Sequence, residues 1–108
     1  MNPKSTITYI FFGTDTFSVR VLEELKASDF LPTLLVTVPD RPVGRGLTMT
    51  PPLAKEWAER NNVAVLQAEK LDAEVIEKIK ALDPPLFIVA SYGKIIPQTV
   101  LDIPEKGA

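Results

Sequence analysis

The chain has 108 residues, 45% of them hydrophobic, with 12 basic and 14 acidic side chains and a net charge of −2. That length holds at most one small domain, the hydrophobic share supports a packed core, and the charge excludes a chain that is basic overall, so any RNA contact has to be local. It has no cysteine and no histidine, which removes disulfides, thiolate zinc sites, cysteine nucleophiles and the commonest general base.

Ile7–Phe12 is an almost continuous apolar run of β-branched and aromatic residues, as suits a strand covered on both faces. Gly13 ends it, and any of Thr14, Asp15 and Thr16 can cap the helix that follows. Phe17, Val21, Leu22 and Leu25 form the apolar face of that helix, with Arg20, Glu23, Glu24 and Lys26 opposite. Thr33–Val38 reads as a second strand. The stretch after it, Val36–Met49, sets Asp40, Arg41 and Arg45 among two prolines and two glycines. Proline fixes φ and glycine frees it, so the expectation is a shaped loop rather than a strand or helix. It is either a solvated turn or a mount for two guanidinium forks suited to phosphate.

Thr50-Pro51 predicts a helix start, and Leu53, Ala54, Trp57 and Ala58 share one face of that helix. At this spacing Trp57 reads as packing. Val63–Leu66 is a short third strand. Asp72 is a candidate cap for a helix carrying Val75, Ile76, Ile79 and Leu82, which Pro84-Pro85 stops. Leu86–Ala90 is a fourth buried strand, and Ile96-Pro97 opens a last short helix through Leu101. No apolar run approaches the ~20 residues of a membrane span, and Met1–Thr6 lacks the apolar core of a signal peptide; a cytoplasmic protein is expected.

Alternating strands and helices predict an α/β fold, a Rossmann-like half with a parallel sheet of about four strands in the order 3-2-1-4 and helices on both faces. Ligands bind beyond the carboxyl ends of the strands at the switch point between strands one and four. Gly13–Asp15 and Ser91–Lys94 stand there. Gly13 and Thr14 open a helix where an anion can sit, but neither G-x-G-x-x-G nor a P-loop pattern is present, and a plain tight turn explains them as well. In the turn Ser91–Pro97, Gly93 permits close backbone approach, while Tyr92, Ile95 and Ile96 are either walls for a flat heterocycle or ordinary core. No pair of carboxylates is set up for acid–base work, and no metal or catalytic residue is assigned.

Three stretches, FFGTDTFSVRVLEEL, VTVPDRPVGRGLTMTPPLAKEWA and LFIVASYGKIIPQTVLDIPEKGA, together resemble the methionyl-tRNA formyltransferases, in register over essentially the whole chain. The pattern D-R-P-x-G-R-G separates that family from the related sugar-nucleotide and glycinamide ribonucleotide formyltransferases. The resemblance implies transfer of a formyl group from 10-formyltetrahydrofolate to the amino group of initiator methionyl-tRNA in translation initiation. It implies tRNA contacts at Arg41 and Arg45, and folate contacts at Tyr92, Gly93, Lys94, Ile95 and Ile96, with Gly13 and Thr14 at the neighbouring wall.

The chain departs from the family's usual residues at Asp15, Thr16, Leu47, Thr48 and Pro85. Leu47 and Thr48 stand where two lysines are usual, which lowers phosphate attraction. The family's Asn-x-His pair, its catalytic aspartate and its C-terminal barrel have no counterpart in these 108 residues. Residues 1–108 are therefore expected to be the N-terminal portion of the catalytic domain, inactive alone and open to self-association through the edge of strand 86–90. The alternatives are a stand-alone Rossmann-type folate or nucleotide module without catalysis, and a piece of a sugar-nucleotide formyltransferase.

Overall fold

The computed structural model describes residues 9–84 and 86–104. Ile7, Thr8 and Pro85, which the expected elements include, lie outside the described residues. Strand β1 is Tyr9–Gly13, helix α1 Thr16–Ala27 and strand β2 Leu34–Thr37. Helix α2 is Leu53–Arg60 and a further strand is Ala64–Gln67. Helix α3 is Ala73–Ala81, the last strand Leu86–Ala90 and helix α4 Gln98–Leu101. Between β2 and α2 stand two short strands, β3 at Arg41–Val43 and β4 at Thr48–Thr50. Ala64–Gln67 is then β5 and Leu86–Ala90 is β6.

The main sheet is parallel, in the order β5-β2-β1-β6. This is the expected order, with β5 and β6 as the third and fourth strands. Side chains of a strand alternate between faces, and here both faces are buried. Tyr9, Phe11 and Leu35 pack with Leu22 of α1 and Ala54, Trp57 and Ala58 of α2. Ile10, Phe12, Leu34 and Val36 pack on the opposite side with Ile79 of α3 and Val100 of α4. The continuous apolar reading of β1 follows from this: neither face of the central strand sees water. Among the described residues, no helix is long and apolar enough to cross a membrane.

Local chemistry sets the helix ends. Asp15 caps α1, its carboxylate accepting from the Phe17 N–H, and Asp72 caps α3 by accepting from the Val75 N–H at 3.1 Å. Helix α2 corrects the expected start at Thr50-Pro51. Its N-cap is Pro52, which makes no side-chain capping bond, because Thr50 is taken into β4. In place of a side-chain cap, the Ala54 N–H donates to the Thr14 carbonyl at 3.1 Å.

The Val36–Met49 stretch also differs from the expected loop. Arg41 pairs with Thr50, Pro42 with Met49 and Val43 with Thr48 in an antiparallel ribbon. A two-stranded ribbon consists of edge strands, where an outward-facing proline loses no ladder bond. Gly44 at φ +75° and Leu47 at φ +50° turn the ribbon, and the Leu47 N–H closes onto the Gly44 carbonyl at 3.2 Å. The glycines that argue against a strand thus supply the turn between two.

Candidate functional site

The carboxyl ends of β1, β2 and β6 meet at a polar knot centred on Thr14, whose backbone and side-chain groups are all engaged within the chain. Its N–H donates to Ser18 Oγ at 2.8 Å, and its carbonyl receives the Ala54 N–H. Its hydroxyl donates to the Tyr92 carbonyl at 2.6 Å and accepts from Thr37 Oγ1 at 3.4 Å. Ser18 is fully buried on α1, and its Oγ donates to the Ala90 carbonyl at 2.5 Å. On the surface beside them, Ser91 Oγ donates to the Asp15 carboxylate at 2.6 Å. That bond is the main reason the Asp15 carboxyl lies below the usual carboxylate range. Ser91 itself takes a left-handed φ of +57°, which side chains other than glycine adopt only when held. Sequence reasoning missed Ser18, because a serine at a core-facing position leaves no mark in an apolar period. The Asp15–Ser91 pair joins residues remote in sequence and had no local signal either.

A second knot anchors the ribbon. Gln67, at the end of β5, donates to the Val38 carbonyl at 3.1 Å and to Asp40 Oδ1 at 2.6 Å, and Lys55 of α2 reaches the same oxygen at 3.2 Å. The Gln67 bond, then Lys55, holds the Asp40 carboxyl below its ordinary range.

Between the two knots lies an open cleft of about 220 Å³, lined by Thr14, Asp15, Val38, Arg41, Val43 and the Thr50–Leu53 segment. Side chains alternate along the ribbon, so Arg41 and Val43 line the cleft with Thr50, while Pro42 and its exposed partner Met49 fall on the other face. Arg45 stands in the turn and is exposed, as is Leu47 at 68%. None of the described salt bridges involves Arg41 or Arg45. The cleft therefore combines apolar walls, one carboxylate and one guanidinium, beneath a tip that carries a second guanidinium.

The turn after β6 divides in two. Tyr92 is 3% exposed, its ring meeting Phe12 edge-on at 5.5 Å within the layer under α3 and α4. Burial pushes its phenol upward, and the hydroxyl has no partner among the described residues. Of the two sequence readings, core describes the Tyr92 ring. Ile96 packs partly against the same layer, whereas Ile95 is 92% exposed and is not core. Gly93 needs its glycine for a φ of +92°; no group lies close to where a side chain would start. Lys94 reaches Glu69 at 3.4 Å, an exposed pair of the kind that contributes little. No backbone bond takes up the N–H groups of Gly93, Lys94 or Ile95 among the described residues.

The fold is half of a doubly wound α/β domain, with an open cleft at the carboxyl ends of β1 and β2. The sequence pattern of the Formyl transferase family matches residues 6–108, and the chain belongs to that family. It is 45% identical over 98 residues to a methionyl-tRNA formyltransferase of Halorhodospira halophila and 46% over 99 residues to one of Bacillus subtilis. Each alignment covers 91% of this chain but only 32% and 31% of the relative. A methionyl-tRNA formyltransferase of Acetivibrio thermocellus is 43% identical over 99 residues. The chain thus spans about a third of the length of the curated relatives it matches.

Proposed function

We propose that residues 1–108 form the N-terminal portion of the catalytic domain of a methionyl-tRNA formyltransferase. The reaction is transfer of a formyl group from 10-formyltetrahydrofolate to the amino group of initiator methionyl-tRNA, in the cytoplasm. The observation that carries this reading is the ribbon. It places Arg41 on a cleft at the carboxyl ends of β1 and β2 and Arg45 in an exposed turn between β3 and β4. In this reading Arg41 and Arg45 meet tRNA phosphates, and Tyr92, Gly93, Lys94, Ile95 and Ile96 form the folate turn, largely through backbone groups. Gly13 and Thr14 stand behind that turn. No residue of this chain is assigned the transfer step itself; the groups that hold the amine and stabilise the tetrahedral intermediate belong to other parts of the enzyme.

Arg45→Glu is the direct test. It is expected to weaken binding of initiator tRNA about tenfold and to lower the steepness of its salt dependence by about one ion, with binding of 5-formyltetrahydrofolate unchanged. An equal loss of both ligands would remove the ribbon from the tRNA site.

The reading also includes self-association. Strand β6 forms one edge of the main sheet, and its Val89 is exposed while Leu86 and Ile88 are half-buried. An unpaired apolar edge is a template for a second strand. Sedimentation at rising concentration is expected to show dimers that Val89→Lys reduces. A monomer throughout would remove self-association from the reading without touching the ligand sites.

A further inference from the structure

We infer that Thr14 is a positioning residue for the turn after β6. It aims Gly93–Ile96 from behind, and the turn, rather than the threonine hydroxyl, meets the ligand. This rests on the reading of that turn as a folate site.

The Thr14 hydroxyl gives its one proton to the Tyr92 carbonyl and accepts from Thr37, so it has no proton left to donate to a ligand. The turn is accordingly tied through its first half and free through its second. The carbonyl of Ala90 goes to Ser18, the carbonyl of Tyr92 goes to Thr14, and the Ser91 hydroxyl goes to Asp15. Immediately beyond these three ties the chain turns at Gly93 with a φ of +92°, and among the described residues no backbone bond takes up the N–H groups of Gly93, Lys94 or Ile95. A glycine in open space does not fix its own direction. The direction of the free N–H groups is set by the last tied peptide, and that is the one Thr14 holds. The ties come from the start of α1 and the end of β1, elements locked into the core at Phe11, Phe12 and Leu22. A ligand that needs donors at fixed positions thereby meets a turn ordered before it arrives, and ordering cost is kept out of binding.

The test is amide relaxation of the chain with Thr14→Val, which keeps shape and removes the hydroxyl, and with Thr14→Ser, which restores it. In the wild-type chain the order parameters of Gly93 and Lys94 are expected near the rigid-backbone value of about 0.85, and in Thr14→Val below about 0.6. Phe87–Val89 should keep their values in both, and Thr14→Ser should return Gly93 and Lys94 to rigidity. Titration with 5-formyltetrahydrofolate should then show about tenfold weaker binding to Thr14→Val than to wild type. If Gly93 and Lys94 stay rigid in Thr14→Val, or loosen together with Phe87–Val89, the positioning role is overturned. If Thr14→Val does not fold, Thr14→Ala removes the same hydroxyl without a branched side chain; loosening confined to Gly93 and Lys94 supports the role and no change refutes it. Absence of any wild-type response to the folate would end the folate reading of the turn, while the order parameters still decide whether Thr14 positions it.

Discussion

Gly13→Ala is expected to destabilise the chain by about 3 kcal/mol, more than its single added methyl suggests. A Cβ at Gly13 would lie 2.5 Å from Phe11 Cε1, 2.6 Å from Ser18 Oγ and 2.8 Å from Ser18 Cβ. None of these neighbours can yield. Phe11 is fully buried between β1 and the α1 and α2 layer, and Ser18 is held by bonds to the Thr14 N–H and the Ala90 carbonyl. Overpacking of a dense core costs about 1–3 kcal/mol. Displacing Ser18 adds the loss of bonds worth ~1 kcal/mol each and strands a carbonyl and an N–H away from water. In a domain of this size such a loss moves the thermal midpoint down by roughly 12–24 °C. Pairing Gly13→Ala with Ser18→Gly should cost less than the two changes added, because both act on one contact. A melting curve for Gly13→Ala within a few degrees of wild type would mean that α1 can slide away from β1. The resemblance to the formyltransferases assigns Gly13 to a site wall; packing against Ser18 gives the glycine a sufficient reason of its own.

Trp57→Ala is the second large expected effect, about 3–5 kcal/mol. Trp57 is fully buried on α2, its ring filling the layer shared with Leu22, Tyr9 and Ala58, and its indole N–H donates to Glu23 of α1. Truncation leaves a cavity between two helices and the sheet and removes the bond that ties α2 to α1. Small domains hold about 5–15 kcal/mol in all, so the variant should lie close to unfolding at 25 °C. Trp57→Phe keeps an aromatic ring in the layer and loses part of the indole volume together with the hydrogen bond to the Glu23 carboxylate, a bond worth about 1.5–3 kcal/mol. Urea unfolding followed by circular dichroism reads both. If the alanine variant lost no more than the phenylalanine one, the layer would have closed over the gap and the indole bond would be the main contribution.

The main sheet and its helices were legible in the sequence because both signals are strong here. Tyr9–Phe12 is apolar on both faces, as a strand covered on both sides is, Leu86–Ala90 is equally apolar although Val89 is exposed at the sheet edge, and the intervening helices repeat at helical spacing. The ribbon was not legible. Three residues a side give no measurable alternation, and Pro42 argues against a strand unless it is known to lie on an edge. The start of α2 was missed for a related reason: Thr50 looks like a cap until its pairing with Arg41 is known. Topology puts the turn after β6 at the carboxyl end of the sheet, and the two arginines stand out in the sequence because they need no partner to be visible. The ties that shape the site were hidden, because Ser18 and Ala90, or Asp15 and Ser91, meet only after the sheet has formed.

The place of β1 in the sheet also sets how the chain has to assemble. Ile10 pairs with Leu34 on one side and with Phe87 on the other. The β1–β2 pairing is available early, but the second edge of β1 stays open until residues more than seventy positions later have been made. At synthesis rates of ~5–20 residues per second that interval is on the order of 4–15 s. Through it, one of the most apolar strands in the chain is half-covered, and closing so long a loop in parallel is intrinsically slow. The same pairing that buries the central strand therefore leaves one of its edges open for most of the time the chain takes to be made.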